Sequence, residues 1–250
     1  MTINDANLFL DKLNLANSTE EKSLIFTNII TNCSIVEQKW LISIILKDLK
    51  ISIGHEIIFD LFHPRASEVF KSTSSLLEVC NFIENPNHKK YLNNFYRINL
   101  PVKPMLADRM SLHKIIDNFM NVKVLAETKF DGERIQCHFN ECGEIKFFTR
   151  NANDYTDLYF PKLGSYMKNN ILAKCAILDG EIVVWDKNLQ KFSPFGENKT
   201  TANLHNLNTD KDLVYMVFDI IYLVTPSGKE HSLQDVILSD RKKILRTIIK

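Results

Sequence analysis

Two hydrophobic periods divide the chain. Between about residues 5 and 84, apolar residues recur at intervals of three and four, the spacing of one helix face; from Val122 the spacing tends towards alternation, as in strands. Ser18 and Glu21 have the spacing of a capping box, and they open a predicted helix with Leu24, Ile25, Ile29 and Cys33 on one face. A second predicted helix carries Val36, Trp40, Leu41, Ile44 and Ile45 and ends near Lys47-Asp48-Leu49. A third covers about 56–62 and stops before Pro64, and a fourth covers 74–82. Stripes of this kind are first of all core, so cations such as Lys47, Lys50, Arg65 and Lys71 are equally phosphate contacts or solvated lysines and arginines. Residues 84–90 are turn-rich, and the segment up to Leu100 is poorly patterned. Pro101 and Pro104 then exclude a regular helix or a central strand, which predicts an extended connector between domains 1–100 and 101–250.

The second region predicts strands at 122–130, 134–140, 144–150, 175–186 and 213–223. Helices are expected at 112–119, about 159–168 and 240–249. Strands and helices in this order predict an α+β fold, an all-helical domain followed by one built on antiparallel strands. The polar stretch 197–211 has neither period and reads as a long surface loop.

Composition narrows the partners. The chain is 45% hydrophobic, enough for packed cores, and its net charge of +1 makes it no basic glove for nucleic acid. Residues 1–107 hold eleven Lys/Arg and eleven Asp/Glu, 11 − 11 = 0, so any DNA contact there rests on local patches. Five cysteines (33, 80, 137, 142 and 175) are odd in number and lack a C-x-x-C pair, which points to free thiols in an intracellular setting rather than to a zinc site or disulfide frame. Nothing resembles a signal peptide, and no apolar run approaches the ~18 residues of a membrane span, so no membrane partner is expected.

The candidate chemistry centres on Glu127-Thr128-Lys129-Phe130-Asp131-Gly132-Glu133-Arg134, read as two strands joined by a tight Asp131-Gly132 turn. A lysine titrates near ~10.4 when unperturbed, so Lys129 is a nucleophile only where burial, a cation or an electrostatic partner favours its neutral form. Taken alone, the stretch is equally a hairpin with a solvated lysine. Downstream, Arg150 ends a strand and offers a fork for hydroxyl or phosphate oxygens. Asp179-Gly180-Glu181 lies inside an apolar run, where Glu181 needs a partner, a hydrogen bond or a metal if it is buried. Phe218, in a further apolar strand, could stack on a flat base or pack in the core.

In this order, the motifs around Lys129-Phe130-Asp131-Gly132-Glu133-Arg134, Arg150-Asn151, Asp179-Gly180-Glu181 and Phe218-Asp219 resemble those of the covalent nucleotidyltransferases. Within that group the chain is similar to the ATP-dependent DNA ligases. Glu127-Thr128-Lys129, Pro104-Met105-Leu106-Ala107 and the helix around Trp40-Leu41-Ile42 resemble most closely the ligase IV branch. The resemblance implies a partial helical DNA-binding domain followed by the first part of an adenylation domain of ATP-grasp-like, antiparallel-sheet type. It implies ATP and Mg2+ as cofactors, nicked or broken double-stranded DNA as partner, break sealing in non-homologous end joining and recombination, and a nuclear location. Lys129 would carry AMP. Glu127, Thr128 and Phe130 would recognise adenine, Phe218 would stack on it, Arg134 and Arg150 would hold the ribose and phosphates, and Glu181 would touch the ribose or the metal. The expected later motifs, a second set of lysines and an OB-fold, are not found before Lys250, so a fragment is expected, one that the scaffold partner of ligase IV does not bind. The competing expectations are a catalytically inactive DNA- or protein-binding fragment, or an RNA ligase or capping guanylyltransferase.

Overall fold

The computed structural model describes residues 1–91, 95–203 and 210–250. By packing, it divides into two compact units, Met1–Ile58 and Phe59–Lys250.

The first unit is helical. α1 (Ile3–Leu15), α2 (Thr19–Asn32) and α3 (Ile35–Ile45) each open on a reciprocal capping box: Thr2 with Asp5, Ser18 with Glu21, Ser34 with Glu37. These boxes satisfy N–H groups that the first turn leaves without helical partners. Phe9, Ile29 and Leu41 form the buried centre, with Ile25, Cys33 and Ile45 packed against it. The expected stripes are only half used. Leu24 is 72% exposed, and Val36, Trp40 and Ile44 are exposed too. The three helices have a small common centre, and it covers only one strip of each.

α4 (His55–Phe62) crosses the division. In the second unit, α5 (Ala66–Thr73) and α6 (Leu76–Glu84) close over Phe59, Val69, Val79, Phe82, Tyr91 and Phe95. α7 (Leu112–Phe119) follows at its expected place with no buried residue. The remaining elements are β1 (Glu133–Phe139), β2 (Ile145–Thr149), α8 (Thr156–Asn170), β3 (Cys175–Asp186), β4 (Lys191–Phe192), α9 (Asn198–Asn203), β5 (Lys211–Val224), β6 (Glu230–Ser232) and α10 (Leu238–Ile248). Every strand pairing is antiparallel, in the order β2-β1-β3-β5-β6 with β4 on β3, which gives the α+β fold expected.

Alternation along β1 separates two faces. Ile135, Cys137 and Phe139 enter the main core with Phe147, Leu178, Ile182, Tyr159 and Leu245. Arg134, Gln136 and His138 point the other way and grip the connector. Gln136 exchanges two hydrogen bonds with the Val102 backbone (2.9 and 2.7 Å), and Asn99 N–H donates to His138 Nδ1 at 3.2 Å. Tyr96 and Val102 complete this second face with Ile177, Ile221 and Tyr222.

The structure corrects two expectations. No strand forms over 122–130: Val122, Val124 and Leu125 are exposed and no described strand pairs with them. Alternation specifies a strand only where a neighbour supplies hydrogen bonds and a covered face. By packing, the chain divides at Ile58/Phe59, and Tyr96 and Val102 are buried against the sheet. The expected loop at 197–211 contains α9, whose Asn198 donates to the Ile182 carbonyl at 2.8 Å; residues 204–209 of that loop, and 92–94 upstream, lie outside the described residues.

Candidate active site

Two glycines let the motif strands approach closely. A Cβ on Gly132 would lie 2.1 Å from the Ile182 carbonyl oxygen, and one on Gly180 would meet the Tyr215 ring at 2.6 Å. Without them, Gly132 N–H donates to Glu181 Oε1 at 3.1 Å, tying the Lys129 loop to β3. Glu181 is half-buried, and desolvation raises its pKa against the opposing pull of the Gly132 N–H, Lys129 and Arg134. Beside it, Arg134 forks onto Asp179, with Nε–Oδ1 at 3.1 Å and Nη2–Oδ2 at 2.7 Å. Its Nη1 donates to the Met105 carbonyl at 2.9 Å, and its guanidinium lies 5.5 Å from the Phe218 ring centre.

Phe218 owes its position to an irregularity in β5. The register with β3 passes from Asp179↔Asp219 to Gly180↔Val217, leaving Phe218 without a partner. An extra residue of this kind re-aims its side chain and frees its carbonyl. Next to it, Asp219 forms a buried two-point pair with Arg241 of α10 at 2.8 and 2.9 Å.

The segment before β1 is open. Lys129 is 85% exposed and ion-paired with Asp131. Asp131 first, and Glu181 further off, raise its pKa, the reverse of the lowering that a neighbouring cation would give. Arg134 is engaged by Asp179, and Arg150 is an exposed residue in the turn after β2. Thr128 is exposed. Phe130 meets Phe192 edge-on at 5.9 Å, and the Glu127 carboxylate pairs with Lys242 of α10. The structure thus gathers Lys129, Asp131, Glu181, Arg134 and Phe218 around the start of β1, joins Glu127 to Phe218 through Lys242, and leaves Arg150 and Thr128 outside this set. A cavity of about 240 Å³ lies under the connector, lined by Tyr96, Val102, Met105, Asp179 and Arg241 but not by Lys129.

Residues 104–250 match the family described as ATP dependent DNA ligase domain, and residues 1–63 match DNA ligase N terminus. The chain belongs to the ATP-dependent DNA ligase family. It is 34% identical to DNA ligase 4 of Arabidopsis thaliana over 253 residues, covering 100% of this chain and 20% of that protein. It is also 34% identical to DNA ligase 4 of Homo sapiens over 234 residues, covering 88% of this chain and 25% of that protein. The chain therefore spans about a fifth to a quarter of the length of these relatives. A solved structure of mycobacterial DNA ligase D complexed with ATP and MES overlaps 48% of this chain and 35% of that one, at 22% identity and a TM-score of 0.36.

In this ligase-family chain, sequence reasoning assigned no partner to Asp179, Asp219, Arg241 or Lys242. The pairing of β1 with β3 and of β5 with α10 supplies those partners. A signal was available for the aspartates: each is a carboxylate inside an apolar strand, where a cation must follow. Arg241 and Lys242 fall in the helix expected at 240–249, where the local pattern names no partner for either. Among the described residues, no group of three or more His, Cys, Asp or Glu side chains gathers as a metal centre.

Proposed function

We propose that this ligase-family chain forms a lysyl-AMP on Lys129 and serves DNA ligation through it. The observation that carries the reading is the Gly132–Glu181 bond, which ties the lysine loop to the carboxylate strand beside Arg134. In the proposed reaction the neutral Lys129 amine attacks the α-phosphorus of ATP. An N–P bond forms, the bond to the bridging oxygen breaks, pyrophosphate departs with that electron pair, and the amine proton passes to solvent. A 5′-phosphate oxygen at a DNA break then displaces Lys129 from phosphorus, and the 3′-hydroxyl displaces AMP to close the strand. Glu127, with the backbone at Thr128 and Phe130, receives adenine, Phe218 stacks on it, and Arg134 with Arg150 holds the ribose and phosphates. Positioning and charge neutralisation carry most of the acceleration in such transfers.

Among the described residues, Glu181 fits magnesium: one oxygen is tied to Gly132 N–H and the other can serve the ion, with phosphates and water completing the shell. When bound, the ion neutralises phosphate charge. We assign residues 1–100 to DNA binding and 101–250 to adenylation, a reading supported by the family matches over residues 1–63 and 104–250. Likeness to proteins named DNA ligase 4 supports nicked or broken double-stranded DNA as partner, a role in end joining and recombination, and work in the nucleus.

Incubation with ATP labelled at the α-phosphate tests the chemistry. Label is expected on the wild-type protein and lost in Lys129→Arg, whose guanidinium stays protonated. Lys129 is exposed, so the variant should fold normally. Label at the wild-type level on that variant would overturn the assignment, and no label on either protein would favour a binding role.

A further inference from the structure

Lys242 reaches the site from α10, far along the chain from the Lys129 loop. Its side chain is only 16% exposed, and its ammonium both pairs with Glu127 Oε1 and donates to the Phe218 carbonyl. That carbonyl is available because Phe218 has no register partner on β3. One cation therefore joins the two residues assigned to the nucleotide base, the one whose carboxylate faces it and the one whose ring stacks on it. A lysine ammonium has three donors, and two are in use. The pair also leaves Glu127 Oε2 as an acceptor. Side by side, the site offers one N–H donor and one carboxylate acceptor, with no net charge.

We propose that Lys242 and Glu127 together read the Watson–Crick edge of a purine and select adenine over guanine. This rests on the reading of Glu127 and Phe218 as the base site. Adenine presents an amine donor at position 6 beside a bare acceptor at N1. The amine meets Glu127 Oε2, and N1 meets the third N–H of Lys242. Guanine reverses both: its carbonyl oxygen meets the carboxylate and its N1–H meets the ammonium. A site built to hydrogen-bond one pattern rejects the opposite one strongly, because its own polar groups are left unpaired. Lys242 is thus a specificity-determining residue, and its bond to the Phe218 carbonyl fixes where the donor points.

Equilibrium binding of ATP, GTP and 1-deaza-ATP tests this on the purified protein, on Lys242→Met and on Lys242→Gln, with covalent labelling run in parallel. 1-Deaza-ATP keeps the amine but lacks the N1 acceptor. The wild-type protein is expected to prefer ATP to GTP and to bind 1-deaza-ATP about tenfold more weakly than ATP, the scale of one hydrogen bond to a charged group. Lys242→Met is expected to bind ATP about tenfold more weakly and to treat ATP and 1-deaza-ATP alike. A purely structural Lys242 would leave the ratio of ATP to 1-deaza-ATP unchanged by its removal, and that result would overturn the proposal. So would equal binding of the two nucleotides by the wild-type protein, an arm that needs no variant to fold. Loss of labelling with this binding pattern intact would overturn the lysyl-AMP reading and leave the Lys242 assignment standing. Absence of ATP binding would overturn both.

Discussion

An amine attacks phosphorus only when neutral, and the nearest group to Lys129 is the carboxylate of Asp131. With the pKa raised by Asp131, the reactive fraction grows only as pH climbs into the alkaline range. The rate of covalent labelling is therefore expected to rise with pH. Asp131→Asn, which removes the largest cause of the shift, should move that rise to lower pH; an unmoved or upward-moved profile in single-turnover labelling would contradict this. His138 presents the opposite case. It is fully buried beneath the connector, and burial first, then Lys146, push its pKa down to about 3, against an ordinary value of ~6.5 in the unfolded chain. Between those values the unfolded chain binds a proton that the native protein excludes. Stability is complete above the unfolded value and is lost as pH falls from ~6.5 towards about 3, at up to about 1.4 kcal/mol per pH unit. Urea melts should show a flatter acid limb for His138→Phe than for the wild-type protein. The sequence singled out Lys129 but said nothing of His138, since one histidine in an alternating strand gives no hint of the chain that will lie over it.

At the scale of elements, the site depends on how closely β1 can lie against β3. Gly132 allows it, and the Cβ of an alanine there would strike the Ile182 carbonyl oxygen and Val183 Cγ1, backbone and a branched side chain that cannot swing away. Gly132→Ala is expected to cost about 1–3 kcal/mol in a denaturant titration, the scale of overpacking a filled site, and to weaken labelling by moving Gly132 N–H off Glu181. Gly54→Ala, with nothing within 4 Å of its Cβ, should stay within about 0.5 kcal/mol and serves as the control. The long strands β3 and β5 were readable because continuous apolar runs of that length bury on both faces. The register shift at Phe218 was not: an extra residue changes no local pattern, yet it decides where the ring and its carbonyl point.

At the scale of the molecule, the two compact units differ greatly in what they bury. The first is centred on Phe9, Ile29 and Leu41, while the second holds the sheet core and two further clusters. A helical unit of this size buries a small share of its surface and should open first. The chain has two tryptophans, Trp40 in the first unit and Trp185 in the second, so each unit carries its own probe. Fluorescence of Trp185→Phe, which follows Trp40, is expected to change at lower urea than that of Trp40→Phe; coincident transitions would show a single cooperative block instead. The amino-acid order by itself determined the capped start of α2 and the main strands, because capping and periodicity act over a few residues. It also held the motif order that marks the family. Only the tertiary structure decided which charges meet. Arg134 on Asp179, Arg241 on Asp219 and Lys242 on Glu127 join residues 22 to 115 positions apart. No local pattern specifies such pairs, since their energy depends on distance in space and on how far burial strips away water.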